Sequence, residues 1–221
     1  MTNAIPPIAA VLTGDLIGST DPGPDRIERS MEVLAAQAAL LNAAIGSETR
    51  FTRFRGDGWQ ILLRQPNNFL WVTVYMSAVL RADPDCLPSR IAIGLGSVDR
   101  LGQTGLSAAN GTAFINSGRV LDTMTGVGQR LGLAGDGSDE IQRSTLAFID
   151  DRIAGWSREQ AEVVALRLRP QSRLTLSKMA AELQITRQAV SARLKAAGWD
   201  LIDGACAAFI HHYQALGIRH V

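Results

Sequence analysis

The sequence predicts an α+β fold, a mixed sheet with packed helices, followed by an all-helical segment. Three observations lead there. Short apolar runs rich in β-branched residues alternate with helical patterns in the order strand, helix, hairpin, helix, strand over the first half. A Gly-rich stretch from Gly126 to Asp139 then breaks the pattern and reads as a domain boundary. Everything after it has helical periodicity. The expected division is residues 1–135 and 140–221.

Each element has a local reason. Residues 8–14, IAAVLTG, read as a buried strand. Asp15 to Thr20 form a polar turn, and a helix begins near Asp25, with Glu28 placed for a capping box. Ile27, Met31, Leu34, Leu41 and Ile45 share one face of that helix, and Gly46 stops it. Residues 50–63 read as a hairpin turning at Gly56-Asp57-Gly58. Residues 68–81 read as a largely apolar helix, and 89–96, SRIAIGLG, as another buried strand. A helix from about Gly111 to Met124 completes the sheet region, with no strand read after it.

Composition bounds the function classes. The chain has 221 residues, 46% of them hydrophobic and 19% charged, with no apolar run approaching a membrane span. No signal-peptide pattern is read at the N-terminus, so the expected location is cytoplasmic. Cys86 and Cys206 are far apart and read as free thiols. Net charge is +1 but uneven: residues 151–221 carry ten Lys/Arg against six Asp/Glu, and the rest twelve against fifteen. A basic C-terminal part on an acidic body points toward nucleic acid at that end.

Residues 176–195, LSKMAAELQITRQAVSARLK, place Met179, Ala180, Leu183, Ile185, Val190 and Leu194 inward. Thr186 caps a second helix after a turn at Gln184-Ile185, and Arg187, Gln188, Ser191 and Lys195 point outward, where they can reach bases and phosphates. This window resembles the helix-turn-helix of LuxR-type regulators and of the promoter-reading sigma-factor region. Residues 156–168, WSREQAEVVALRL, resemble the preceding helix of those families. Gln184 stands where they usually have Gly. The resemblance implies DNA as a partner, with Thr186, Arg187, Gln188, Ser191 and Lys195 as contacts. A helical bundle used for protein contacts is the competing reading. His211 and His212 point to different helix faces and do not form a metal site, whereas Trp199, Phe209 and Tyr213 read as packing.

Two acidic residues mark the sheet region. Asp15 follows the first strand in TGDLIGST, and Asp57 sits in the hairpin turn RGDGWQ. If the turns lie side by side, the carboxylates can hold a divalent cation, or a basic side chain such as Arg53 or Arg55 fills the gap. The amides of Ile17, Gly18, Ser19 and Thr20 can cradle phosphates. Asp is also an ordinary turn residue, which leaves a structural reading open. The pattern resembles class III nucleotide cyclases, whose core is a ferredoxin-like sheet. Closer still, TGDLIGS with GTAF and Arg119 resembles the SatD family, over about residues 8–124. The resemblance implies Asp15 and Asp57 as ligands of Mg2+ or Mn2+, Arg119 as the transition-state arginine, and a purine nucleotide or a cyclic mono- or dinucleotide as ligand.

Two residues depart from the cyclase pattern. Ile115 stands at the asparagine position, and Arg53 at the purine-reading lysine. A nucleotide sensor, an active cyclase and a vestigial pocket all remain open at this point. Cyclase domains pair so that one subunit completes the other's site, and a two-fold operator suits the same symmetry. A homodimer is therefore expected, with the low charge of residues 68–81 as a further motive.

Overall fold

The computed structural model describes residues 8–20, 23–45, 49–54, 56–103, 105–124, 128–170 and 174–216. Five strands form one sheet: β1 (Ala9–Leu16), β2 (Thr49–Phe54), β3 (Gly58–Leu63), β4 (Ser89–Gly96) and β5 (Leu131–Gly135). Their order is β2-β3-β1-β4-β5. β1 is antiparallel to both β3 and β4, and β5 runs parallel to β4. With α1 (Pro24–Ile45) and α2 (Phe69–Ala82) as crossovers, the first four strands have the split βαββαβ arrangement of ferredoxin-like folds. α3 (Thr112–Thr123) leads into the added fifth strand.

β1 is buried on both faces, which explains its unbroken apolar run. Ala10 and Leu12 join the large core beneath α1 and α2, whereas Ala9 and Val11 face a smaller cluster with Ala113 of α3 and Leu106. α3 lies so close to β4 that a Cβ on Gly94 would sit 2.1 Å from the Ala113 carbonyl oxygen and 2.3 Å from the Ser117 nitrogen. Beside that contact, Thr13 and Ser117 share a buried hydrogen bond of 2.7 Å. Gly94→Ala is therefore expected to push α3 off the sheet and cost about 1–3 kcal/mol. Urea unfolding should show a lower midpoint with an unchanged slope.

The stretch between Gly126 and Asp139 is not merely a connection, because it contains β5. Asp150 of α4 (Glu140–Ala154) accepts the backbone N–H groups of Arg130 and Leu131 at 2.7 and 3.1 Å. Its buried carboxylate thus caps the start of the strand, and burial pushes its pKa up. α5 (Arg158–Leu168), α6 (Leu176–Glu182), α7 (Arg187–Ala197) and α8 (Trp199–Ala215) follow. They do not stand apart from the sheet. One apolar cluster runs from Ile8 to Tyr213 without a break at 135–140. The Phe69 ring meets Phe209 and Tyr213 edge-on at 5.6 and 5.5 Å.

α2 explains itself by this arrangement. Phe69, Leu70, Val72, Val74, Met76, Ala78 and Leu80 are all buried, because the sheet lies on one side and α5 on the other. Its lone basic residue, Arg81, donates to the Trp156 carbonyl oxygen at 2.6 Å. The helix whose low charge suggested a second copy is covered by its own chain. Glu28, expected to cap α1, instead pairs with Arg53. Gly46, its expected stop, lies outside the described residues, and α1 ends at Ile45. No helix among the described residues is long and apolar enough to cross a membrane.

Candidate functional site

The β1–β3 register sets Asp15 opposite Gly58, so the turns carrying Asp15 and Asp57 do lie side by side. The Leu16 N–H donates to the Asp57 carbonyl oxygen at 3.1 Å, which ties them together. On the other side of β1, Asp15 is in register with Arg90 of β4. The Arg90 guanidinium grips Asp15 with both edges of its fork, Nε to Oδ1 at 2.8 Å and Nη2 to Oδ2 at 2.5 Å. Its third nitrogen donates to the Met124 carbonyl oxygen at 3.2 Å. Asp15, and more weakly the charge of Asp57, raises the Arg90 pKa further above its already high value.

Asp57 accepts from the Ser19 hydroxyl at 2.5 Å. Ile17, expected to offer its amide to phosphate, donates it to the Pro88 carbonyl oxygen at 2.7 Å. Gly18 and Thr20 are exposed on the same turn, and Gly18 has the left-handed φ of +78° that suits glycine. Arg53 turns away to Glu28, with two contacts of 2.7 Å, and also donates to the Gly56 carbonyl oxygen. Arg55 lies outside the described residues. Arg119 is exposed on α3, two residues from Ser117, which is fully buried against Thr13. Asn116 donates to the Leu95 carbonyl oxygen at 2.9 Å, and Ile115 is exposed.

The residues present therefore do not fit a cation bridging Asp15 and Asp57, because both oxygens of Asp15 already serve Arg90. Among the described residues no cluster of three or more His, Cys, Asp or Glu can hold a metal ion. Arg53 pairs with Glu28 instead, and the cation paired with Asp15 is the Arg90 guanidinium. Its signal in the sequence is one charged residue inside the apolar strand SRIAIGLG, since a guanidinium in a buried strand demands a carboxylate.

At the other end of the chain, α6 and α7 are joined by a tight turn. Gln184 takes the left-handed conformation there, with φ +55°, in the place where glycine is cheapest. The Ile185 N–H donates to the Ala180 carbonyl oxygen at 3.0 Å and fixes the turn. Thr186 caps α7 by accepting the Ala189 N–H at 3.1 Å, as expected. Met179, Ala180, Val190 and Leu194 are buried, whereas Leu183 and Ile185 are half-buried. Thr186, Arg187, Gln188, Ser191 and Lys195 are all exposed. Arg193, on the flank, lies 3.8 Å from Glu162 of α5. α7 ends at Gly198, φ +75°, whose missing side chain leaves room for Arg152.

The remaining aromatic residues of α8 are packing residues: Trp199, Phe209 and Tyr213 are buried. The thiols of Cys86 and Cys206 are free and buried, and burial pushes them up to about 11 and about 12. Thiols so placed are inert.

No known protein family matches the chain, and no curated protein does. Among solved structures it is similar to a bacterial light-regulated adenylyl cyclase, at 12% identity and a TM-score of 0.42, over 57% of this chain and 75% of that one. It is also similar to the guanylyl cyclase Cya2, at 19% identity and a TM-score of 0.36, over 54% of this chain and 71% of that one. Such low identities and scores say nothing about activity.

Proposed function

We propose that the protein is a DNA-binding transcription regulator whose sheet region senses a purine nucleotide without turning it over. The observation that carries the reading is the exposed polar face of α7. A capped helix on a buried bed of α5 and α6 presents Arg187, Gln188, Ser191 and Lys195 to solvent. Arg and Gln are the side chains whose paired hydrogen bonds distinguish guanine and adenine edges in the major groove. Lys195, one turn beyond Ser191, is placed for a phosphate.

Alanine at both Arg187 and Gln188 is expected to cost specific binding about 1–3 kcal/mol per residue. Lys195→Ala should instead weaken binding to every duplex and flatten its salt dependence. Gel shifts across a salt series separate the two effects. An unchanged shift in the double variant removes the assignment of α7.

The sensing part rests on the adjoining turns of Asp15 and Asp57 and on the cyclase-like order of the first four strands. Catalysis is disfavoured because Arg90 takes both oxygens of Asp15 and because Ile115 offers no donor to developing charge. Calorimetry with ATP and GTP should give binding that is the same with and without magnesium, and no cyclic product. By reciprocity, DNA and nucleotide should change each other's affinity by one common factor. Robust cyclic product that vanishes in Asp57→Ala would make the protein a cyclase instead. A homodimer is part of this reading, since two copies of α7 match a two-fold operator.

A further inference from the structure

Three turns converge at one end of the sheet. The end of β1 brings Asp15, the hairpin between β2 and β3 brings Asp57, and the start of β4 brings Arg90. Two carboxylates on joined turns need a positive charge near them. The Arg90 guanidinium supplies it to Asp15 directly and feels the charge of Asp57 at longer range, and its geometry is more than a chance surface pair. Arg90 and Asp15 are cross-strand partners, their side chains are only 29% and 23% exposed, and the fork is closed on both edges. The remaining nitrogen is fixed to the Met124 carbonyl oxygen at the end of α3. Ser19 occupies Asp57 at the same time. Among the described residues, Asp15 thus has an ionic partner and Asp57 a hydroxyl donor within the chain.

We infer that Arg90 is the permanent counter-ion of Asp15, holding both carboxylate oxygens that a divalent cation at these turns would need, so that the site is metal-free by construction and becomes a cation site when the guanidinium is removed. The inference rests on the geometry of the turns and not on DNA binding, so either can fail alone. It deepens the sensing reading by making any ligand there bind independently of magnesium. Replacing Arg90 with Gln removes the positive charge and the two-edged fork, leaving at most a neutral amide donor for one Asp15 oxygen. A hard cation is the nearest substitute for the lost guanidinium.

The test is titration of the full chain with Mn2+, read as loss of the free-ion electron paramagnetic resonance signal. Wild type, Arg90→Gln and Arg90→Gln with Asp15→Asn are compared, with near-ultraviolet circular dichroism reporting the fold. Wild type should bind Mn2+ only weakly, and its melting temperature should be the same in EDTA and in magnesium. Arg90→Gln should gain one site, tighter than wild type by roughly ten-fold or more. The added Asp15→Asn change should abolish it. If Arg90→Gln fails to fold in EDTA, folding should be restored by Mn2+. A wild-type site as tight as that of Arg90→Gln overturns the inference. So does a folded Arg90→Gln without a new site, or an unfolded one that Mn2+ does not rescue.

Discussion

Phe69→Ala is expected to lower the stability of the whole chain by about 3–5 kcal/mol, in a single unfolding transition. Phe69 opens α2 and has no exposed surface. Its ring is the seam between the sheet region and the last helix, with Phe209 and Tyr213 both edge-on against it. Tyr213 continues the seam through its hydroxyl, which donates within 3.0 Å of Gln142 and 3.3 Å of the Gly137 carbonyl oxygen. Losing the ring therefore leaves a cavity walled by residues from both ends of the chain. Urea unfolding followed by tryptophan fluorescence and by far-ultraviolet circular dichroism should give coincident curves, in wild type and variant alike. Two separated transitions, with only the C-terminal one moved, would show that the helices fold apart from the sheet.

Trp156→Ala is expected to cost a similar amount, about 3–5 kcal/mol, and to weaken DNA binding as well. Trp156 lies between α4 and α5 and is 1% exposed. Its indole N–H donates to the Ala197 carbonyl oxygen at 2.8 Å, holding the C-terminal end of α7. Its own carbonyl oxygen accepts from Arg81 of α2. One residue thus ties α7 to the buried helix under the sheet. Truncation removes a large apolar side chain and orphans a buried acceptor. The separating measurement is DNA affinity at a temperature where the variant is still folded. Undiminished affinity there would mean that α7 keeps its place without this tie.

Much of the fold was legible because periodicity and punctuation agreed. β4, the hairpin turning at Gly56 and Asp57, and the two helices α6 and α7 with Thr186 as cap and Gln184 in the turn all follow from local chemistry. β5 was not legible, and the reason is steric. Its sequence LGLAG lacks strand-forming bulk because α3 and β4 press on it. A Cβ on Gly132 would lie 2.5 Å from the Val120 side chain, and one on Gly135 would lie 2.0 Å from the Leu95 carbonyl oxygen. Glycines demanded by packing read locally as a loop.

The candidate site divides the same way. That Asp15 and Asp57 occupy joined turns follows from two strand ends meeting, and the sequence implies it. That Arg90 holds Asp15, that Pro88 takes the Ile17 amide and that Arg53 goes to Glu28 depends on register between distant strands and loops. No periodicity carries such pairings. The cover over α2 was hidden for a related reason: an apolar helix looks the same whether another helix of its chain or a second copy buries it.

DNA recognition by α7 is tested most directly by selection of duplexes from a random pool with the full chain. Fluorescence anisotropy on the enriched and a scrambled duplex then follows, with wild type and with Arg187→Ala combined with Gln188→Ala. The expected result is one enriched motif, bound about a thousand-fold or more tighter than the scrambled duplex by wild type, with most of that ratio lost in the variant. A pool that yields no motif, or a ratio unchanged by the two substitutions, would contradict it.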